Sequence, residues 1–152
     1  MPRILIVMGS SSDREYFAGA ERLSEFFGLD VEMAVLSAHR DPDRLRARLK
    51  ETARDGTEVV IAAAGVAAHL AGACAAETVL PVIGVPLPGS ALNGLDALLS
   101  TVQMPSGVPV ATVAVGKAGA ENAIVLAARI LALKYPAVAE KLAEFKAKGA
   151  CL

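Results

Sequence analysis

The chain has no tryptophan, aromatic residues make up only 4% of it, and it holds just two cysteines in 152 residues. Each shortage excludes something. With few aromatic side chains to stack on bases, and 15 Lys and Arg against 16 Asp and Glu, the sequence lacks the basic, stacking footprint of a nucleic-acid binder. Cys74 and Cys151 cannot build a disulfide framework or a metal-ligand cluster, and no metal is expected. Cys74 sits among alanines and reads as a small core residue, whereas Cys151, next to last, should face solvent. No apolar run reaches the roughly 18 residues of a membrane span, because charges or turn residues interrupt each one. The opening residues run into a strand pattern rather than a signal-peptide pattern, which makes the cytoplasm the expected location.

Charged residues are also scarce, at 20% against 54% apolar. That is more apolar surface than one small domain usually hides, which favours a homo-oligomer. The length suits one domain over residues 1–152. No internal repeat, low-complexity tract or linker interrupts it.

What is present is alternation. Short apolar runs at Arg3–Met8, Val31–Leu36, Val59–Ala64, Val82–Val85 and Val110–Val115 read as buried parallel strands. Helical patterns lie between them. One covers Asp13–Phe27 and should stop at Gly28; the next starts at Asp41-Pro42, an N-cap followed by proline, and should run to Asp55. Shorter helices are expected over Ala68–Thr78 and Leu92–Thr101. The alternation predicts an α/β fold: a single doubly wound parallel sheet, a flavodoxin-like three-layer sandwich with C-terminal helices. In Ala118–Leu133 twelve of sixteen residues are apolar, so this helix should be buried on several sides, in part by another subunit. Ala137–Gly149 is ordinarily amphipathic.

Ligands of open α/β sheets bind beyond the C-terminal ends of the strands, and every unusual loop falls there. After the first strand comes Met8-Gly9-Ser10-Ser11-Ser12-Asp13, with Ser12-Asp13-Arg14-Glu15 spaced as a capping box. A small polar loop entering a helix aims backbone N–H groups and hydroxyls at one point, which suits a phosphate. Ser37-Ala38-His39-Arg40 follows the second strand, Gly65 and His69 the third, and Pro86 through Asn93 the fourth. Ser12 can cap, bind ligand, or do both. Asp13 can favour the helix dipole or hold ribose hydroxyls. Arg40 can be a solvated charge or a bidentate phosphate ligand. His39 is the candidate general acid/base, since imidazole is the side chain suited to moving a proton near neutral pH. His69, at a helix start, reads as a residue that organises its loop.

Taken together, Gly9-Ser10-Ser11-Ser12-Asp13, Ser37-Ala38-His39-Arg40, Ala67-Ala68-His69-Leu70, Gly84-Val85-Pro86, Leu92-Asn93-Gly94-Leu95-Asp96 and Gln103-Met104-Pro105 resemble the bacterial 5-(carboxyamino)imidazole ribonucleotide mutases of purine biosynthesis. The match runs in order from Pro2 to about Tyr135. The resemblance implies a cofactor-free carboxylate shift from the exocyclic amine to a ring carbon of a phosphoribosyl aminoimidazole substrate. It assigns phosphate or neighbouring groups to Ser10, Ser12, Ser37 and Arg40, the ribose to Asp13 and the ring proton to His39. Ala38, Gly65, Ala67, His69 and Leu70 complete the implied substrate-binding set. It also implies an octamer with sites shared between subunits. The loop that usually reads Gly-Gly-Ala-Ala-His-Leu-Pro-Gly is here Gly65-Val66-Ala67-Ala68-His69-Leu70-Ala71-Gly72. Val66 therefore adds a β-branched side chain, which matters if that backbone needs a positive φ. Small residues such as Ala64, Gly65, Ala67 and Ala68 suit a dry pocket for CO2. Two other readings stand beside this one. Direct carboxylation of aminoimidazole ribonucleotide would go with Lys after the loop histidine, where Arg40 stands. A non-catalytic nucleotide-binding module would not need His39.

Overall fold

Ile4, Leu5, Ile6 and Val7 expose none of their surface, the signature of a strand covered on both faces. The computed structural model, which describes residues Met1–Leu152, places them in β1 (Arg3–Met8), inside a five-stranded sheet. The other strands are β2 (Asp30–Val35), β3 (Thr57–Gly65), β4 (Val82–Leu87) and β5 (Ala111–Thr112). Their order is β2-β1-β3-β4-β5 and every pairing is parallel. Side chains alternate between the faces. Ile4, Ile6 and Met8 join Phe17, Phe27 and Ile124 in one core layer, beneath α1 (Ala18–Phe27), α5 (Lys117–Ala132) and α6 (Pro136–Ala147). Leu5 and Val7 join Leu45, Leu49, Leu70 and Cys74 in the other, beneath α2 (Pro42–Glu51) and α3 (Leu70–Glu77). The doubly wound sandwich expected from the alternation is the fold.

Helix α4 (Leu95–Val102) packs on β4 on the α3 side. Gly84 makes this possible, since a Cβ there would lie 2.5 Å from Thr101, 2.8 Å from Val110 and 3.2 Å from Ala71. On the outer strand, the Glu32 carboxylate accepts from Arg48 Nε at 2.9 Å and Nη2 at 2.8 Å. Arg3 Nη2 reaches the same carboxylate at 2.7 Å, and Arg48 also pairs with Asp55 at 2.9 Å. This network ties α2 to the sheet.

Several boundaries differ from the sequence reading, each for a local reason. The first crossover opens as a 3-10 helix over Ser11–Phe17, and α1 starts only at Ala18. Helix α2 ends at Glu51 rather than Asp55. There Thr52 Oγ1 donates to the Leu49 carbonyl at 2.6 Å, and the Asp55 carboxylate accepts from Thr57 N–H at 2.9 Å, opening β3. Asp41 precedes α2 but makes no side-chain cap. Helix α3 begins at Leu70 rather than Ala68. The φ values of 52° at Asn93 and 88° at Gly94 postpone α4 to Leu95. Strand β4 continues through Pro86 to Leu87, and β5 shrinks to two residues.

The apolar helix α5 is covered only in part by its own chain: Val125, Leu126, Ile130 and Ala132 are partly exposed, and Leu133 just after it is exposed. Gly119, Ala120, Ala123, Ile124, Ala127, Ala128 and Leu131 are buried where it packs on α1, α6 and β4. A stripe of uncovered apolar surface lies on and before α4, where Leu92, Leu95, Leu99 and Val102 stand 45–61% exposed at helical spacing. Cys74 is buried as expected, and burial pushes its thiol up to about 12, which leaves it inert. Cys151 is exposed. No helix is long and apolar enough to cross a membrane.

Candidate active site

The strand order reverses direction between β1 and β3, and the crevice beyond their C-terminal ends is where a doubly wound sheet binds its ligand. A cavity of about 580 Å³ opens there, of a size that suits a small metabolite. The nominated catalytic and substrate-binding residues all line it: Ser10, Ser12 and Asp13 after β1, Ser37, Ala38, His39 and Arg40 after β2, and Gly65, Ala67, His69 and Leu70 after β3. A larger cleft of about 770 Å³ lies on the other side of the sheet, against α1, α5 and α6, and contains neither histidine.

The first loop is fixed to the sheet by Gly9 N–H donating to the Ala63 carbonyl at 3.1 Å. Its cap is Ser10, not Ser12. Ser10 Oγ accepts from Ser12 N–H at 3.4 Å, and the Asp13 carboxylate accepts from Ser10 N–H at 2.9 Å. The capping box therefore sits two residues upstream of the spacing Ser12 to Glu15. The reason is that β1 closes at Met8 and the 3-10 turn begins at Ser11. The two hydroxyls of Ser10 and Ser12 meet at 3.0 Å, each with hydrogen-bonding capacity left for an anion. Asp13 is half-buried, and burial pushes its carboxyl above the ordinary range despite the backbone hydrogen bonds that oppose the shift.

The second loop is a turn in which Asp41 N–H donates to the Ser37 carbonyl at 2.9 Å, and Arg40 N–H to Ser37 Oγ at 3.2 Å. Arg40 itself is exposed, and its guanidinium has no carboxylate partner. An unpaired cation lining the same cavity as two serine hydroxyls and a helix start suits an anion by charge and by donor count.

The third loop carries what the sequence could not show. His39 Nε2 and His69 Nδ1 lie 2.7 Å apart, with ring centroids at 4.8 Å and planes at 82°. One proton lies between those two nitrogens, whichever ring carries it. The backbone under His69 is set by Ala68 N–H donating to Ser100 Oγ at 2.9 Å and His69 N–H donating to the Ala67 carbonyl at 2.8 Å. Sequence reasoning missed Ser100, whose position in α4 gives no local sign of this contact, and also Glu15 and Tyr16, which line the cavity. Two of the nominated apolar residues play smaller parts than expected. Leu70 lines the cavity but is buried in the α2–α3 core layer, and Ala68 is buried outside the cavity lining. No cluster of three or more His, Cys, Asp or Glu side chains has metal-binding geometry.

Comparison with known proteins gives this geometry a lineage. The N5-carboxyaminoimidazole ribonucleotide mutase of Saccharolobus solfataricus is 54% identical over 145 residues, which cover 95% of this chain and 90% of that one. The mutase of the same name from Thermotoga maritima is 54% identical over 146 residues, 96% of this chain and 84% of that one. The crystal structure of Treponema denticola PurE matches with a TM-score of 0.89 at 30% identity, across 99% of this chain and 92% of that chain. The family model described as AIR carboxylase matches residues 3–150, so this chain belongs to the AIR carboxylase family.

Proposed function

We propose that the chain is a mutase of de novo purine biosynthesis, acting in the cytoplasm without a cofactor. It converts 5-(carboxyamino)imidazole ribonucleotide to 4-carboxy-5-aminoimidazole ribonucleotide. The observation that carries this reading is the meeting, in one cavity, of the unpaired Arg40 and the Ser10–Ser12 hydroxyls with the His39–His69 pair. The relatives carrying the mutase name at 54% identity support it.

In this reading Ser10, Ser12, Ser37 and Arg40 hold the phosphate end and Asp13 the ribose. The carbamate N–C bond breaks, leaving CO2 and the exocyclic amine. The ring carbon then attacks the same CO2, and His39 takes the proton that this carbon carried while the amine gains one. Substrate and product are isomers, so no redox partner or phosphoryl donor is required. His69 orients the His39 ring, as a third group orients the base of a nucleophile–base pair. Confinement of CO2 beside the nucleophilic carbon supplies most of the advantage over free solution.

The test is incubation of the pure protein with 5-(carboxyamino)imidazole ribonucleotide, and separately with aminoimidazole ribonucleotide plus bicarbonate. The mutase reading expects rapid product from the first and slow product from the second at low bicarbonate. The reverse would make the protein a direct carboxylase, and no product from either would make it a binding module. We further propose a homo-octamer with sites shared between subunits. The stripe Leu92, Leu95, Leu99 and Val102 supplies the uncovered apolar surface for it.

A further inference from the structure

Val66 is held at a φ of 56°, in the left-handed region that a β-branched side chain rarely enters. Glycine would adopt it freely; valine is strained there, and such strain persists only where the surroundings impose it. Both flanks impose it here. On one side Gly65 is paired with Leu87 in the sheet, and a Cβ at Gly65 would already lie 3.2 Å from the Leu87 carbonyl oxygen, so the strand end has little freedom to shift. On the other side Ala68 N–H is held by Ser100 Oγ, which itself donates to the Asp96 carbonyl at 2.6 Å in α4. The chain must turn within Val66 and Ala67 to join these two anchors.

The side chain gains little in exchange. Val66 is 59% exposed, so its isopropyl group adds almost nothing to the core. It does line the cavity. Among the apolar side chains there, Leu70 is buried, Tyr16 is half-buried and most others are alanines. Val66 alone is both branched and exposed.

We infer that Val66 covers the apolar side of the occupied site and keeps CO2 from escaping between the two halves of the transfer. The inference rests on the mutase reading above. When CO2 leaves the carbamate nitrogen it has two fates. Either the ring carbon forms a bond to it and loses a proton, giving product, or CO2 diffuses away and the amine, gaining one proton, remains as free aminoimidazole ribonucleotide. An isopropyl group on the cavity wall, covered in turn by the bound ligand, excludes water and closes the second route. The strain is thus carried in the folded state for the sake of the site.

The experiment compares the parent with Val66→Gly and Val66→Ala. Two quantities are read: the urea midpoint of unfolding, and the ratio of carboxylated product to free aminoimidazole ribonucleotide, corrected for spontaneous loss in protein-free buffer. Val66→Gly should unfold at higher urea than the parent while its ratio falls severalfold. Val66→Ala keeps a Cβ at positive φ, so its midpoint should gain less, yet its ratio should fall as well. A Val66→Gly protein with the parent's ratio, or with a lowered midpoint, overturns the inference alone. A parent that makes no carboxylated product overturns the mutase reading and takes this inference with it.

Discussion

Arg40 is the only arginine or lysine lining the cavity, and nothing in the protein neutralises it. Losing its charge-assisted contact in Arg40→Ala should weaken ribonucleotide binding by roughly 1.5–3 kcal/mol. Arg40→Lys should recover only part of this, because an ammonium replaces the planar fork by a point charge. Titration calorimetry decides, and unchanged affinity in Arg40→Ala would remove the phosphate assignment. Asp13 makes a second case. Its carboxyl is raised, so it favours the fold only while protonated, below the ordinary 3.8, and that favour is lost as the pH rises through the raised value. Asp13→Asn keeps an oxygen to accept from Ser10 N–H. It should therefore unfold at pH 7 no more easily than the parent while losing ribonucleotide affinity, as melting and binding curves would register. Much of this was legible in the residues themselves. Ser10, Asp13, His39 and Arg40 announce themselves by type and place. The choice of Ser10 over Ser12 as cap was not legible, because both stand three residues before an acid and only the end of β1 decides between them. The contact between His39 and His69 spans thirty residues, and no local pattern encodes it.

At the scale of elements, β1 and β3 were plain because a strand buried on both faces is apolar throughout, and β5 was overread because Val110–Val115 has that composition without the pairing. The ion network joining α2 to β2 escaped notice, since its members are scattered over Arg3, Glu32, Arg48 and Asp55. It gives the clearest pH prediction. The hydrogen bond from Arg48, and then that from Arg3, holds the Glu32 carboxyl below its ordinary 4.5. A lowered carboxyl contributes stability above its unfolded value and loses it as the pH falls through the folded one. Arg48→Met keeps the aliphatic stem and removes the fork. It should cost roughly 1–2 kcal/mol at pH 7, allowing for the partial exposure of Glu32. The gap to the parent should narrow once the pH drops below 4.5. Urea unfolding at several pH values measures it, and a gap indifferent to pH would contradict the assignment.

For the whole molecule, composition points to surface that one copy does not hide, and the structure adds to the partly covered α5 the exposed stripe on and before α4. A homo-octamer is the expected state in solution. Light scattering at micromolar concentration should report it, and Leu99→Glu should lower the mass, because a charge there would be buried at the interface. Ser100, the residue after Leu99 in that stripe, also holds the loop bearing His69, so the proposed interface and the site share a helix. His39 is proposed to move the ring proton in this site, and steady-state turnover of 5-(carboxyamino)imidazole ribonucleotide by the parent and by His39→Asn, with ligand affinity measured alongside, tests this most directly. His39→Asn should lose about two to four orders of magnitude in turnover with affinity retained; near-parental turnover in that variant would remove His39 from the proton transfer.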